Sequence, residues 1–447
     1  MMKKTMLCAA IVTLMAGPAA LAAVSSDEAA KLKSTLTPLG GERAANKEGS
    51  IPAWDGKASV ATGSKAGDIP TQPYPGEKPV LQISAKNMAQ YADKLSEGTQ
   101  ALLKKYPDTF RVDVYPTHRT AVAPQYVYDN TLKNATNCKT KAGGYSVEGC
   151  FGGIPFPVPK EGVEAIWNYL LRVEAEATEV SFKNIVGTAD GNRTLATQNE
   201  QVNQYPYYYK DGSAEKWSGE YFLQRFSTVA PPFKAGESLV IRDGVDAGTP
   251  RQTWQYLVGQ RRVRRAPTVA YDTPDFVASG ANYFDEVMGI MGHPDRYQWK
   301  LVGKKEMYIP YNANALVTAK EEDAFAKHHL NPEKLRWELH RVWEVEATVA
   351  SGKRHAVPKR RYYLDEDTWL LVLMDGYDTE GKLWRTSQLF PYVVPAIPAV
   401  VNKPVTVFDL QKGTMSTVQF LDSFKVLSKR KSENYFTGDA VAADASR

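Results

Sequence analysis

Along Trp337–Val349 apolar and polar residues alternate. Odd positions run Trp337, Leu339, Arg341, Trp343, Val345, Ala347 and Val349; even positions run Glu338, His340, Val342, Glu344, Glu346 and Thr348. A period of two over this length predicts a long β-strand with one oily face and one mostly wet face. Similar patterns predict strands at 178–186, 193–199, 204–210, 219–228, 238–243, 253–265, 296–309, 359–365, 368–376, 383–390 and 416–427. Asp365-Glu-Asp367 and Asp378-Thr-Glu-Gly381 read as tight hairpin turns between neighbours. The expected fold class is therefore β-rich α+β: a large curved antiparallel sheet with one strongly apolar side.

Helical spacing is confined to the first half. Met88, Tyr91, Leu95, Leu102 and Leu103 give 84–105 an apolar stripe. Short helices are also expected at 24–36 and within 118–137. Ile166, Trp167, Leu170 and Leu171 mark a helix that follows Gly152-Gly-Ile-Pro-Phe-Pro-Val-Pro-Lys-Glu-Gly162. Those prolines lack donors, so the stretch is neither helix nor central strand. Ile166, Trp167 and Leu170 are the expected lid over the sheet, with the proline-rich stretch as its hinge or stop. Residues 271–292 read as a helix or irregular lid. Four regions are expected: a signal at 1–22, an extended arm at 23–80, a main body at 81–436 and a flexible tail at 437–447. Trp54 and Tyr74 are the expected anchors of the arm.

The signal reading rests on Lys3 and Lys4, an apolar run from Thr5 to Leu14, and Ala20-Leu21-Ala22 as a cleavage site. It implies export to the periplasm. Removing 1–22 takes two lysines and leaves a net charge of about +3. That balance does not point to nucleic-acid binding. Cys138 and Cys150 flank a short Lys- and Gly-rich loop, and in an oxidising compartment such a pair reads as a disulfide.

Catalytic and metal signatures are absent from the sequence. There is no His-Glu-x-x-His, no Gly-x-Ser-x-Gly and no phosphate-binding glycine loop. The six histidines are His118, His293, His328, His329, His340 and His355, and a metal site would need long-range convergence among them. No metal, cofactor or catalytic residue is expected. The basic run Arg261-Arg-Val-Arg-Arg265 is either paired across strands with Glu344, Glu346, Asp365 and Glu366, or a rim for an anionic headgroup or acidic partner. Arg341, alone on the oily face, is either ion-paired or reaches a cargo headgroup.

Several segments together resemble one family. They are Ser50-Ile-Pro-Ala-Trp-Asp-Gly56, Val114-Tyr-Pro-Thr-His-Arg-Thr120, Gly153-Ile-Pro-Phe-Pro-Val-Pro-Lys160 with Glu164-Ala-Ile-Trp-Asn168, and Arg262-Val-Arg-Arg-Ala-Pro267 with Ala270-Tyr-Asp-Thr-Pro274. To these add Asp295-Arg-Tyr-Gln-Trp-Lys-Leu301, Gly303-Lys-Lys-Glu-Met-Tyr-Ile-Pro-Tyr-Asn312, Arg336-Trp-Glu-Leu-His-Arg-Val-Trp343 and Lys359-Arg-Arg-Tyr-Tyr-Leu-Asp-Glu-Asp-Thr-Trp369. Jointly they resemble the DUF1329 family of Gram-negative envelope proteins. Asn168-Tyr169 departs from the Asn-His expected there. The resemblance implies a half-open β-barrel like the periplasmic lipoprotein-sorting carriers, with helices plugging an apolar concave face. It also implies, more loosely, partnership with an inner-membrane exporter and an outer-membrane protein.

The expectation is thus a non-enzymatic periplasmic carrier or chaperone for a lipid or other hydrophobic small molecule, touching membranes only transiently. The expected cargo wall is Tyr256, Trp299, Leu301, Met307, Arg341, Trp343, Val345, Tyr362, Leu371 and Leu373. Two rivals stand beside it. An adaptor that carries nothing would have a filled core and an outside basic or aromatic patch. An enzyme on a hydrophobic substrate would draw on His118, His340 or Asp113.

Overall fold

A computed structural model describes residues 24–57 and 73–445, apart from 396 and 398. The segment expected to be a signal, 1–22, lies outside the described residues. Seventeen strands form among the described residues. Two short ones, β1 (Leu81–Ile83) and β2 (Val112–Val114), precede a hairpin of β3 (Lys139–Lys141) and β4 (Ser146–Glu148). Then come β5 (Ala177–Gly187), β6 (Arg193–Gln204), β7 (Glu220–Ala230), β8 (Ser238–Gly244), β9 (Gln252–Leu257) and β10 (Arg262–Arg265). The rest are β11 (Tyr297–Pro310), β12 (Trp337–Val349), β13 (Lys359–Asp365), β14 (Leu371–Tyr377), β15 (Leu383–Val394), β16 (Ala399–Asp409) and β17 (Thr414–Val426).

The main sheet runs β11-β12-β13-β14-β15-β16-β17-β5-β6-β7-β8-β9-β10, antiparallel throughout. β1 and β2 join it through one parallel pair, Trp337 with Val114. Its ends, β10 and β11, do not pair with each other among the described residues, so the sheet curls without closing. Residues 204–210, expected as strand, contain a 3₁₀ turn at Pro206–Tyr208 instead. Strand β16 was not expected, because Pro404 falls within it. A local register shift accommodates that proline.

Four helices matter below: α1 (Ser26–Ala30), α2 (Glu97–Lys105), α3 (Gln125–Asn137) and α4 (Gly162–Leu170). The single helix expected at 84–105 is broken at Leu95, and Ser96 caps α2 through the Thr99 amide. Both sheet faces are covered. The inner face packs α4, the loop after β10 and part of the arm into one apolar core. The outer face of β11–β15 packs β1, β2, α2 and residues 311–335. Where a fraying tail was expected, Gly438–Ala445 is a helix whose Val441 is buried against the outer face near Val202 and Leu223.

The described parts of the arm, 24–57 and 73–80, lie on the body. Trp54 donates its indole N–H to the Ala121 carbonyl at 2.9 Å, and Tyr74 stacks on His118 at 3.6 Å. Cys138 and Cys150 form a disulfide. The arginine run at β10 sits on the free edge, far from β12. None of its four arginines makes an ion pair among the described residues. Glu344 and Glu346 pair instead with Lys305 and Lys359, and Arg361 lies between them. Charge along an unpaired edge discourages strand addition from another chain.

Candidate functional site

All nine residues of α4 are buried, so this helix is sandwiched rather than laid on the surface. Glu164 accepts from the Lys160 and Glu161 amides, which fixes the helix start. Asn168 donates to the Phe156 carbonyl at 2.7 Å and accepts its amide at 2.8 Å, clamping the proline-rich stretch to the helix. Trp167 donates to Gly144 at 2.8 Å, tying the back of α4 to the disulfide hairpin. A Cβ at Gly162 would stand 2.7–2.8 Å from the backbone of Trp299 and Lys300, so the helix start rests directly on β11. Ile166, Trp167 and Leu170, the expected lid, all enter the inner core.

The second cover is the loop 271–292, irregular apart from short 3₁₀ turns. Two consecutive acids pin it to the sheet. Asp285 takes Arg360 of β13 at 2.6 and 3.1 Å and the His355 ring at 2.9 Å. Glu286 takes Arg385 of β15 at 2.5 and 2.8 Å. Burial alone would raise the Asp285 carboxyl, but Arg360 and His355 hold it below its usual range. Tyr169 of α4 donates to the Met288 carbonyl at 2.5 Å, joining the two covers.

The expected cargo wall divides. Trp299, Leu301, Trp343, Val345, Tyr362 and Leu371 do share the inner face. Met307 and Leu373 lie on the opposite face, in the outer core. The physical cause is the bulge. One interrupts β11 between Leu301 and Gly303, and another interrupts the β13–β14 pairing between Leu371 and Leu373. Each slips the two-residue period by one, and every later side chain changes sides. Tyr256 packs under the tail helix instead. Arg341 is committed to Glu366 at 3.2 Å, Glu42 at 3.5 Å and the Ala44 carbonyl, so it fastens the arm.

The shared wall is covered. Val345, Tyr362 and Leu371 are fully buried, and the spaces under the covers are about 10, 20 and 30 Å³. Two open grooves lie at one end of the sheet, of about 540 and 550 Å³, with Tyr126 and Lys210 between them. The first has apolar walls from Val173, Ala175, Ile397, Val426 and Leu427 and a charged rim of Glu176, Lys210, Asp211, Lys429 and Arg430, with Arg430 paired to Asp211 at 2.7 Å, and runs inward to Glu174. Glu174 also lines the 10 Å³ space behind, which adjoins the others through Arg172, Tyr205, Met288 and Gln419. These residues were not on the expected wall. The groove is built from chain crossings that no single periodicity reveals.

A buried polar network occupies the other side of β12. Glu338 accepts from His340 at 3.0 Å, Asn312 at 2.8 Å, Arg336 at 2.5 Å and the His118 amide at 2.8 Å. Nearby, single ligand atoms of His340, Asp365 and Asp367 come within 4.8 Å of one another. These are the residues whose chemistry suits a divalent cation. Arg119 already takes both Asp367 oxygens, at 2.8 and 2.6 Å, and its charge balances that carboxylate. Of the enzyme candidates, His118 joins the same cluster as His340, its amide on Glu338 and its ring on Glu77, which Arg336 links back to Glu338, whereas Asp113 pairs with Arg111 instead.

This network predicts a pH effect. Burial, then the Asp367 carboxylate, pushes Asp365 up to about 7; burial also raises Asp275 and Asp375 to about 6. A raised carboxyl binds its proton more tightly folded than unfolded. Stability should therefore fall as pH rises from about 4 through 7. His329, lowered by burial, opposes this below its ordinary 6.5, while Glu164, Glu174, Glu237 and Glu366, also raised by burial, add to it. Urea midpoints should drop between pH 5 and pH 8, and Asp365→Asn should flatten the slope by on the order of 2 kcal/mol. An unchanged slope in the variant would remove Asp365 from this account.

An unclosed antiparallel sheet, curled over a buried helix and a pinned loop, defines a half-open β-barrel with a plugged inner face. The chain belongs to the family described as protein of unknown function DUF1329, whose model matches residues 82–442. Uncharacterized protein PA3922 of Pseudomonas aeruginosa is 41% identical over 372 residues, 82% of each chain. Among crystal structures, a putative outer membrane lipoprotein-sorting protein domain from Vibrio parahaemolyticus is similar at TM-score 0.44 and 12% identity, covering 63% of this chain and 98% of that one. A DUF1329 family protein from Desulfovibrio piger is similar at 0.42 and 13%, covering 60% and 92%. No helix among the described residues is long and apolar enough to cross a membrane.

Proposed function

We propose that this protein is a non-enzymatic periplasmic carrier that takes a lipid-like molecule through the groove beside Lys210 and beneath the covers of the inner face. The single observation that carries this reading is the groove. Its volume of about 540 Å³ suits a small apolar ligand, and its inner end meets the spaces under α4 and the 271–292 loop. Cargo deeper than the groove must displace the covers, which are held by discrete ion pairs and hydrogen bonds. Apolar burial supplies the affinity, at ~25 cal/mol per Å² before ordering costs. An inner-membrane exporter and an outer-membrane protein are the proposed donor and acceptor.

Native mass spectrometry with solvent extraction, on protein purified from a Gram-negative periplasm, tests this. A stoichiometric lipid or fatty adduct is expected. Trp343→Glu, at a half-buried inner-face position, should weaken uptake of a fluorescent fatty probe while the fold persists. Adduct-free protein that also refuses the probe overturns the reading. A second reading has its own support. The inner core is filled by side chains and the β10 edge carries exposed arginines, which fits an adaptor docking on an acidic partner. Co-purification with a membrane protein, lipid-free, would favour it.

A further inference from the structure

At the inner end of the groove, Arg172, Glu174 and Lys403 meet where the sheet pairing is locally broken. In β16 the pairs Leu389–Val405 and Pro391–Asn402 flank a bulge, so Lys403 and Pro404 both stand opposite Phe390. In β17 a second bulge lies between the pairs Thr417–Ile185 and Phe420–Lys183, and its Gln419 has φ of 57°. Two adjacent bulges re-aim side chains that a regular strand would send elsewhere, a device common beside binding sites. Gln419 and Lys403 both line the same 10 Å³ space. Its remaining walls are largely apolar, from Met288, Leu389, Val405 and Phe424.

Donors exceed acceptors here. Arg172 gives one terminal nitrogen to the Tyr169 carbonyl and the other to Glu174, each at 3.0 Å, but its buried Nε–H has no partner. The Lys403 ammonium has no hydrogen-bonding side chain acting on it; only Glu174 attracts it and only Arg172 repels it. Burial and that repulsion bring it down to about 8, so it is still charged at neutral pH. Two cations thus share one carboxylate inside an apolar wall. The buried Arg172 N–H without a partner is costly, the half-buried Lys403 ammonium has only Glu174 attracting it, and one further anion would serve both. That anion would enter along the groove, since Glu174 lines the groove and the inner space alike.

We infer that Arg172 and Lys403 bind the anionic head, carboxylate or phosphate, of an acyl-chain cargo whose apolar chain lies along the groove. This rests on the carrier reading: the groove holds the chain and the cation pair selects the head. Glu174 competes with the incoming head for the same two cations, so it sets the affinity and keeps the empty site near neutral.

Three probes with the same chain length separate the possibilities: palmitate, 1-palmitoyl lysophosphatidate and hexadecanol. Each is titrated at about pH 6.5, below the Lys403 value, into wild type, Lys403→Gln and Glu174→Gln. Wild type should prefer the acids over hexadecanol by about tenfold or more, the scale of a charged hydrogen bond. Lys403→Gln should remove most of that preference and leave hexadecanol unchanged. Glu174→Gln should tighten the acids several-fold, a gain that a damaged fold would not produce. Palmitate against lysophosphatidate identifies a carboxylate or a phosphate head. Equal binding of acids and alcohol in all three proteins overturns this inference and leaves the carrier reading standing. No binding of any probe overturns the carrier reading, and this inference with it.

Discussion

Arg360→Ala should lower stability by about 3–5 kcal/mol, the usual result of leaving a buried charge without its partner. Arg360 is 1% exposed and gives two nitrogens to Asp285, itself buried. Alanine leaves that carboxylate with only the His355 ring and backbone neighbours. Urea denaturation at neutral pH measures the loss. Adding Asp285→Asn should recover a large part of it, because the orphaned charge is then gone. The double variant should also take up a fatty probe faster than wild type, since the 271–292 loop has lost one of its two pins. Near-wild-type stability in the single variant would mean that the ion pair contributes little and that Glu286 with Arg385, together with bonds such as Tyr169 to the Met288 carbonyl, holds the loop.

Trp167→Ala should cost a similar amount, about 3–5 kcal/mol, by opening a cavity in the inner core. The indole is wholly buried and its N–H satisfies the Gly144 carbonyl. Its removal takes away both the packing and the one side-chain bond between α4 and the disulfide hairpin. Thermal unfolding would register the loss. A dye that lights up on apolar surfaces should bind the variant more than wild type if the helix loosens as a unit. A stability loss without added dye binding would mean that the neighbouring side chains collapse into the gap and α4 stays seated.

Much of the sheet was legible because its strands alternate apolar and polar residues, as 337–349 does, but the face expected to be mostly wet is buried there too, with Glu338, His340 and Val342 all inside. Legibility ended at the bulges. A single extra residue near Val302 and another at Val372 reversed the side on which Met307 and Leu373 lie; Gly303, at φ of 143°, marks the first, and nothing in residue type marks the second. Strand β16 was hidden by Pro404, whose missing donor argues against a central strand unless a register shift is present. Arg341 is a different kind of miss. Its two alternatives stood open; Glu366, 25 residues on, makes the ion pair, and only the fastening of the arm through Glu42 and Ala44 depends on residues about 300 positions away. The groove was invisible for the same reason. Val173, Ile397 and Leu427 meet only after three chain segments have crossed.

Because α4 has no solvent-facing side, it cannot work as a door on a single hinge. The disulfide hairpin and the proline-rich stretch stand behind it, so they must shift before the helix can leave the sheet. Exchange with the inner face then follows an order of events, outer layer first, and proceeds through rare open states. A molecule held there would leave no faster than that layer opens. Its residence time would be set by the stack above it more than by its own grip on the wall.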